Sequence, residues 1–222
     1  MSLRVLTWNL FHGRAVPPRD TDLFDAFASR LAGWRWDVAL LQEVPPWWPA
    51  SLARACAAEV RFALTSRNAL MPLRQRVAIR RPELLKANGG GCNVVLVRGL
   101  GGIDVHAQRR LCVWPERRVV HAARVAAGMW FANVHASTHP PRARRDLALA
   151  SATALRWAGE EPLVFGGDCN VVRLALSGFE HVGVSHVDHV FVRGLAYTHA
   201  RTETLERGQL SDHAPLLVTF AD

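Results

Sequence analysis

Lysine is almost missing from this chain. Of 27 basic residues only Lys86 is a lysine, and tyrosine too occurs once, at Tyr197. Any basic surface is therefore built from arginine, whose planar forks pair with phosphate, and not from flexible ammonium groups. A codon bias toward arginine and alanine explains much of that ratio, but not the excess of 27 basic over 19 acidic residues that gives a net charge of +8. Cysteine is scarce and scattered. Cys56, Cys92, Cys112 and Cys169 show no C-x-x-C spacing, which excludes a zinc ribbon and a disulfide framework and leaves buried thiols in a reducing compartment. No run approaches the ~20 apolar residues of a membrane span. Strand-like sequence begins at Leu3 without a basic, apolar and small-residue leader, so a soluble, non-exported, cytoplasmic protein without membrane partners is expected. There is no H-E-x-x-H helix and no G-x-S-x-G elbow, which removes the zinc-protease and serine-hydrolase classes.

What is present is a chain of 222 residues, half of them apolar, enough to bury a sizeable core in one domain spanning 1–222. Apolar periodicity predicts strands at 3–10, 37–44, 92–97, 103–113, 117–126, 129–135, 163–165, 187–192 and 215–220, and helices at 22–34, 51–59 and 140–158. Residues 65–90 carry many arginines and end in Gly89, Gly90 and Gly91, which read as a turn. Trp47 and Trp48 stand between prolines, either as buried rings, as an exposed hairpin or as a surface for stacked bases. Strands mixed with helices, without regular alternation, predict an α/β protein of stacked mixed sheets covered by helices.

Polar groups recur where apolar runs end. Asp168 and Asn170 follow the run 163–165 two positions apart, so in extended backbone they share a face and can hold one water. A turn after the glycines explains the pair equally well. Glu43 ends Val38-Ala39-Leu40-Leu41-Gln42, where a carboxylate is costly unless paired with an arginine or bound to a metal; oxygen-preferring magnesium suits it. Asn9 closes the first strand, placed to orient Glu43, bind phosphate or cap a turn. Asp212 and His213 put a carboxylate and an imidazole before the last strand, Asp188 can fix one tautomer of that histidine, and His135 can donate to a phosphate oxygen. His12, His139 and His199 are weaker candidates. Read singly, each of these residues also fits a structural turn or strand edge.

Together, TWN, LQE, NVH, GGDCN, HVDHVFV and SDHAPLLV, in that order from Thr7 to Val218, resemble the endonuclease/exonuclease/phosphatase superfamily of pancreatic-type deoxyribonuclease and exonuclease III-like enzymes. The resemblance implies a four-layered α/β sandwich of two packed mixed sheets flanked by helices, and hydrolysis of phosphoesters with Mg2+ or Mn2+. It implies Glu43 as the metal carboxylate with Asn9 beside it and Asp212 as a further ligand. Asp168 and Asn170 would position the attacking water, while His135, Asp188 and His213 would contact the scissile phosphate. Arg118, with Arg117 as the neighbouring choice, matches the family's arginine before a strand, a phosphate contact. Two departures stand out. The only tyrosine, Tyr197, is out of place for abasic-site repair, and Cys169 replaces the usual phenylalanine of GDFN. At 222 residues the chain is short for this family, implying trimmed loops and an open cleft.

The basic balance points to nucleic acid as substrate, bound without sequence preference by a monomeric nuclease acting on DNA or RNA. Three arginine clusters can supply contacts: Arg74, Arg76, Arg80 and Arg81; Arg109, Arg110, Arg117 and Arg118; and Arg142, Arg144 and Arg145. A phosphatase or phosphodiesterase acting on a small-molecule or lipid phosphoester is the alternative, as is a non-catalytic nucleic-acid-binding relative.

Overall fold

The computed structural model describes residues 2–66, 68, 70–81 and 91–221. Strands β1 (Leu3–Asn9), β2 (Val38–Val44), β3 (Glu59–Thr65), β4 (Gly91–Val97), β11 (His199–Thr204) and β12 (Leu216–Ala221) form one sheet, in the order β11-β12-β1-β2-β4-β3. Strands β5 (Ile103–Cys112), β6 (Arg118–Val125), β7 (Met129–His135), β8 (Leu163–Asp168), β9 (Glu180–Ser185) and β10 (Asp188–Arg193) form the other, in the order β5-β6-β7-β8-β10-β9. Each sheet holds one parallel pair, β1 with β2 and β7 with β8, among antiparallel neighbours. Helices α1 (Phe24–Gly33), α2 (Pro49–Ala55), α3 (Met71–Arg80) and α4 (Pro140–Ala158), with a short 3-10 turn at Phe11–Gly13, complete the described elements.

Strand alternation sorts each strand's side chains between two layers. Val5, Val38, Leu40, Val95, Phe131, Val164, Val190, Val192 and Val218 pack between the sheets. Their neighbours Leu6, Trp8, Ala39 and Leu41 face outward against Phe27 and Leu31 of α1 and Leu52 of α2. On the second sheet Ala132, Val134, Leu163 and Phe165 meet Ala143, Leu147, Ala150, Ala154 and Ala158, which recur every third or fourth residue of α4 and so make one apolar stripe. Helix, sheet, sheet and helix give four layers, each interior strand apolar on both faces.

The predicted helix at 51–59 is shorter and starts earlier, at Pro49, whose fixed φ suits a first helical turn; Glu59 instead opens β3. Strands β3, β9 and β11 and helix α3 are additions to the sequence reading. Gly89 and Gly90 lie outside the described residues, while Gly91 begins β4. Trp48 is buried and packs on Phe24 and Phe27, and Trp47 lies partly buried against the same cluster, so both serve the core. Among the described residues no helix is long and apolar enough to cross a membrane.

Candidate functional site

The alternation that fills the space between the sheets also builds the site. On β1, Val5 and Thr7 face inward, and the next inward position is Asn9; on β7 the series from Phe131 through Asn133 reaches His135; on β8, Val164 and Gly166 lead to Asp168; on β10, Val190 leads to Asp188. Strands β1, β7 and β8 deliver these residues at their C-terminal ends and antiparallel β10 at its N-terminal end. All four therefore arrive at one mouth of the sandwich. At that depth valine gives way to polar groups that must find partners, because an unpaired buried polar group costs about 1–3 kcal/mol.

Glu43 gets there differently. Following Leu41, regular alternation would send it to the outer, helical face. The pairing of β2 with β4 instead slips between Leu41 and Val44, and Glu43 has φ +50°, a bulge that re-aims the carboxylate. Its Oε2 lies 3.2 Å from His12 Nε2, and its Oε1 lies 3.9 Å from His135 Nε2. Gly167 has a comparable local role. With φ +134°, a Cβ there would sit 2.0 Å from the Val134 carbonyl oxygen, so only glycine lets β8 run this close to β7 just before Asp168.

Asp168 is the hub. One oxygen, Oδ2, accepts a hydrogen bond from Asn9 Nδ2 at 2.9 Å and has His135 Nε2 at 3.3 Å and His213 Nε2 at 3.7 Å. Its Oδ1 accepts the Asn170 amide N–H at 3.0 Å. Asn170 itself departs from the extended geometry predicted for it: β8 ends at Asp168, and Asn170 has φ +50°, with its side-chain amide donating to the Ala136 carbonyl at 3.0 Å. The two residues are joined by that turn instead of sharing a strand face. His213 Nδ1 meets Asp188 Oδ2 at 2.8 Å, while Asp188 Oδ1 is buried with no hydrogen-bond partner. The segment before β12 is pinned from three sides: Ser211 Oγ donates to the Asn9 carbonyl at 2.6 Å and accepts the His213 N–H at 3.0 Å, and Trp8 Nε1 donates to the His213 carbonyl at 2.9 Å.

Arg118 opens β6 beside this mouth. Its side chain is buried, pairs with Glu116 and leaves its Nε without a partner, whereas Arg117 is exposed. Asp212 stands at the exposed rim, 4.0 Å from His213 Nε2. Beneath the site Gln42 Nε2 donates to Asn133 Oδ1 at 2.8 Å and to Thr7 Oγ1 at 3.1 Å, and Asn133 Nδ2 donates to the carbonyls of Leu41 and Val94, stitching the two sheets together. Gln42, Asn133, Ser211 and the fuller role of His12 escaped sequence reasoning, although the first two stand inside the LQE and NVH motifs. His139 and His199 are exposed outside this group.

The charges are strongly coupled. Burial works to raise the Glu43 carboxyl, but its hydrogen bond to His12 and the charges of His12, His135 and Arg118 hold it down to about 2. Burial, then the nearby Arg118 charge, keeps His135 neutral against the pull of Glu43. Burial and the charge of Asp188 push Asp168 well above the ordinary carboxylate range, against His213 and the Asn9 hydrogen bond. His213 goes the other way: burial would lower it, but Asp188, Asp168 and Asp212 lift it to about 9. At neutral pH the site thus presents an ionised Glu43, a neutral His135, a basic Asp168 and a cationic His213.

Two sets of donors suit a hard cation. Glu43 offers an ionised carboxylate with Asn9 nearby, and Asp168, Asp188 and His213 bring three ligand-capable atoms within 4.8 Å of one another. Asn9 is engaged at both ends of its amide, since Phe11 N–H donates to its Oδ1 at 2.9 Å.

A model of the Endonuclease/Exonuclease/phosphatase family matches residues 6–213. Among solved structures, TDP2 from Caenorhabditis elegans is similar at 14% identity with a TM-score of 0.73, covering 100% of this chain and 76% of that one. A protein from Beutenbergia cavernae is similar at 18% identity with a TM-score of 0.70, covering 99% and 71%. One from Bacteroides vulgatus is similar at 15% identity with a TM-score of 0.68, covering 99% and 98%. At such identities the likeness is one of fold. Among curated proteins none matches by sequence.

Proposed function

The chain belongs to the endonuclease/exonuclease/phosphatase family, and from that premise we propose that it is a divalent-metal-dependent phosphodiesterase, a nuclease hydrolysing DNA or RNA by in-line attack of water. The match over residues 6–213 supports reading 1–222 as one catalytic domain. The observation that carries the mechanism is the convergence of Asn9, His135 and His213 nitrogens on one oxygen of Asp168. A buried carboxylate held by the Asn9 amide, with two imidazole nitrogens close by, and lifted toward neutral pH is poised to take a proton from a water molecule. As that proton passes to Asp168, the water oxygen bonds to phosphorus and the bond to the leaving ester oxygen breaks. Asn170 holds the turn that orients Asp168. Cationic His213, fixed by Asp188, and neutral His135 donate to the phosphate oxygens, and the Arg118 charge, near enough to act on both Glu43 and His135, adds to the same clamp.

Glu43 with Asn9 would hold Mg2+ or Mn2+, which when bound supplies positive charge against the phosphate and its leaving oxygen. Placing the ion on Asp168, Asp188 and His213 is less favourable, because an imidazolium has no lone pair to offer. Asp212, at the rim, is available as a further oxygen ligand on the Glu43 side or as a charge beside His213. The exposed arginines Arg142, Arg144 and Arg145, in the first turns of α4, support a polyanionic substrate bound without sequence preference. The test is hydrolysis of plasmid, single-stranded DNA, RNA and bis(p-nitrophenyl) phosphate with Mg2+, Mn2+ or chelator. Metal-dependent cleavage is expected; nucleic-acid binding without cleavage of any ester would overturn the enzymatic reading.

A further inference from the structure

Strand β10 alternates like its neighbours, so Asp188 turns into the site and the next residue, His189, turns to the outer face of the sheet, where it is fully buried. Its ring lies 17° from parallel with Phe191, centroids 5.8 Å apart, in apolar surroundings where an imidazole is costly unless its nitrogens are bonded. Both are. Nε2 lies 2.7 Å from the Val171 carbonyl oxygen, and Nδ1 lies 3.0 Å from His181 Nε2. A carbonyl only accepts, so Nε2 carries the hydrogen, Nδ1 accepts and His181 Nε2 donates. His181 reaches this place because the β9–β10 pairing slips between Val190 and Phe191, which sets His181 opposite Phe191 and stacks the two rings at 4.6 Å. Burial lowers the His189 pKa more than the Val171 carbonyl raises it, so the ring stays neutral.

Val171 follows Asn170, whose φ of +50° is uncommon outside glycine and persists only where the surroundings hold it. Each residue of that turn is fastened by one bond. Cys169 N–H donates to the Val187 carbonyl at 2.9 Å, the Asn170 side-chain amide donates to the Ala136 carbonyl at 3.0 Å, and His189 donates to the Val171 carbonyl. The same turn delivers the Asn170 N–H to Asp168 Oδ1 at 3.0 Å. We propose that His189 is a positioning residue: by holding the Val171 carbonyl it keeps the Asn170 turn closed on Asp168, while His181, from the exposed side, keeps His189 in the one tautomer that can do so. Neighbours on β10 then act through opposite faces of one strand, Asp188 on the His213 imidazole and His189 on the turn beyond β8.

The proposal rests on the phosphodiesterase reading, and the measurements separate the two. Nitrogen-15 NMR of the wild-type imidazoles needs no assay: hydrogen on Nε2 of His189 is expected, and hydrogen on Nδ1 overturns the proposal. His189→Phe fills the space with a ring but leaves the Val171 carbonyl without its donor, whereas His189→Gln returns an amide N–H. On bis(p-nitrophenyl) phosphate with Mn2+, His189→Phe is expected to lower kcat about 10- to 100-fold with KM within ~2-fold of wild type, the cost of a misplaced reacting group, and His189→Gln to recover most of the loss. A folded His189→Phe with wild-type kcat, or an equal loss in both variants, overturns the role of the Val171 bond. Should His189→Phe fail to fold, His181→Ala alters only an exposed side chain; it is expected to populate the Nδ1–H tautomer of His189 and lower kcat, and an unchanged tautomer and rate overturn the proposal. Failure of wild type to cleave any ester strikes the underlying function instead, and leaves the tautomer measurement standing.

Discussion

Replacing Asp188 by asparagine keeps the side chain's shape and removes the charge that holds the His213 imidazolium. The pair meets at 2.8 Å, with the Asp188 side chain 3% and the His213 side chain 19% exposed, so solvent screens it little. Burial alone would push His213 below its ordinary 6.5; Asp188, aided by Asp168 and Asp212, carries it to about 9. That lift corresponds to about 3 kcal/mol of preference for the charged form. Because the folded value lies above the unfolded one, the stabilisation is complete below pH 6.5 and is lost as pH rises through about 9. In Asp188→Asn two carboxylates remain nearby, so His213 is expected to fall by ~2 pH units and to leave most molecules uncharged at pH 8. NMR titration of His213 in metal-free protein reads this directly. The alkaline limb of kcat should move down with it, and the stability gap between wild type and variant should be largest below pH 6.5. If His213 still titrates near 9 in Asp188→Asn, the ion pair is not what charges it.

Glu43→Gln should weaken Mn2+ binding at least ~10-fold by calorimetry without altering the far-ultraviolet spectrum; unchanged affinity would move the ion to other ligands. His121, fully buried against His106, is held down to about 3 by burial and by the His106 charge. Because its folded value is depressed, the unfolded chain takes up the proton first, so stability is full above pH 6.5 and falls as pH drops toward 3, by up to about 5 kcal/mol. In urea titrations His121→Gln should flatten that acid slope, and an unchanged slope would refute the assignment. Burial raises the thiols of Cys56, Cys92 and Cys169, while Cys112 is partly exposed. A thiol-disulfide reagent at pH 8 should therefore label one thiol quickly in the native protein and all four after unfolding; rapid native labelling of more than one would contradict the packing.

Much of this site can be read from sequence because strand alternation is a physical rule with period two. Once 129–135 and 163–168 are strands, Phe131 and Val164 in the core force His135 and Asp168 to the same side, at the strand ends where water begins. What sequence concealed is local backbone geometry. Nothing in LLQEV announces the bulge that turns Glu43 inward, and nothing in GGDCN distinguishes extended backbone from the left-handed turn at Asn170. Strand β11, His-Ala-Arg-Thr-Glu-Thr, has no buried residue and exists through its ladder with β12. Strand β9 is an edge strand, where Gly183 leaves room for Val218: a Cβ there would come within 2.6 Å of Val218 Cγ2. Strand β3 follows an alanine-rich helix closely, and only its pairing with β4 separates the two periods. Gln42 and Asn133 look like ordinary polar residues until the two sheets are stacked and their amides meet.

If Asp168 takes the proton from the attacking water, Asp168→Asn removes that step alone. Asparagine preserves shape but cannot accept that proton. Because burial and Asp188 make an ionised carboxylate costly here, the variant should be as stable as wild type or more so. Metal-dependent single-turnover rates on bis(p-nitrophenyl) phosphate should fall about 10²–10⁴-fold, with the melting temperature equal or higher. A folded Asp168→Asn that turns over within a few-fold of wild type would contradict it.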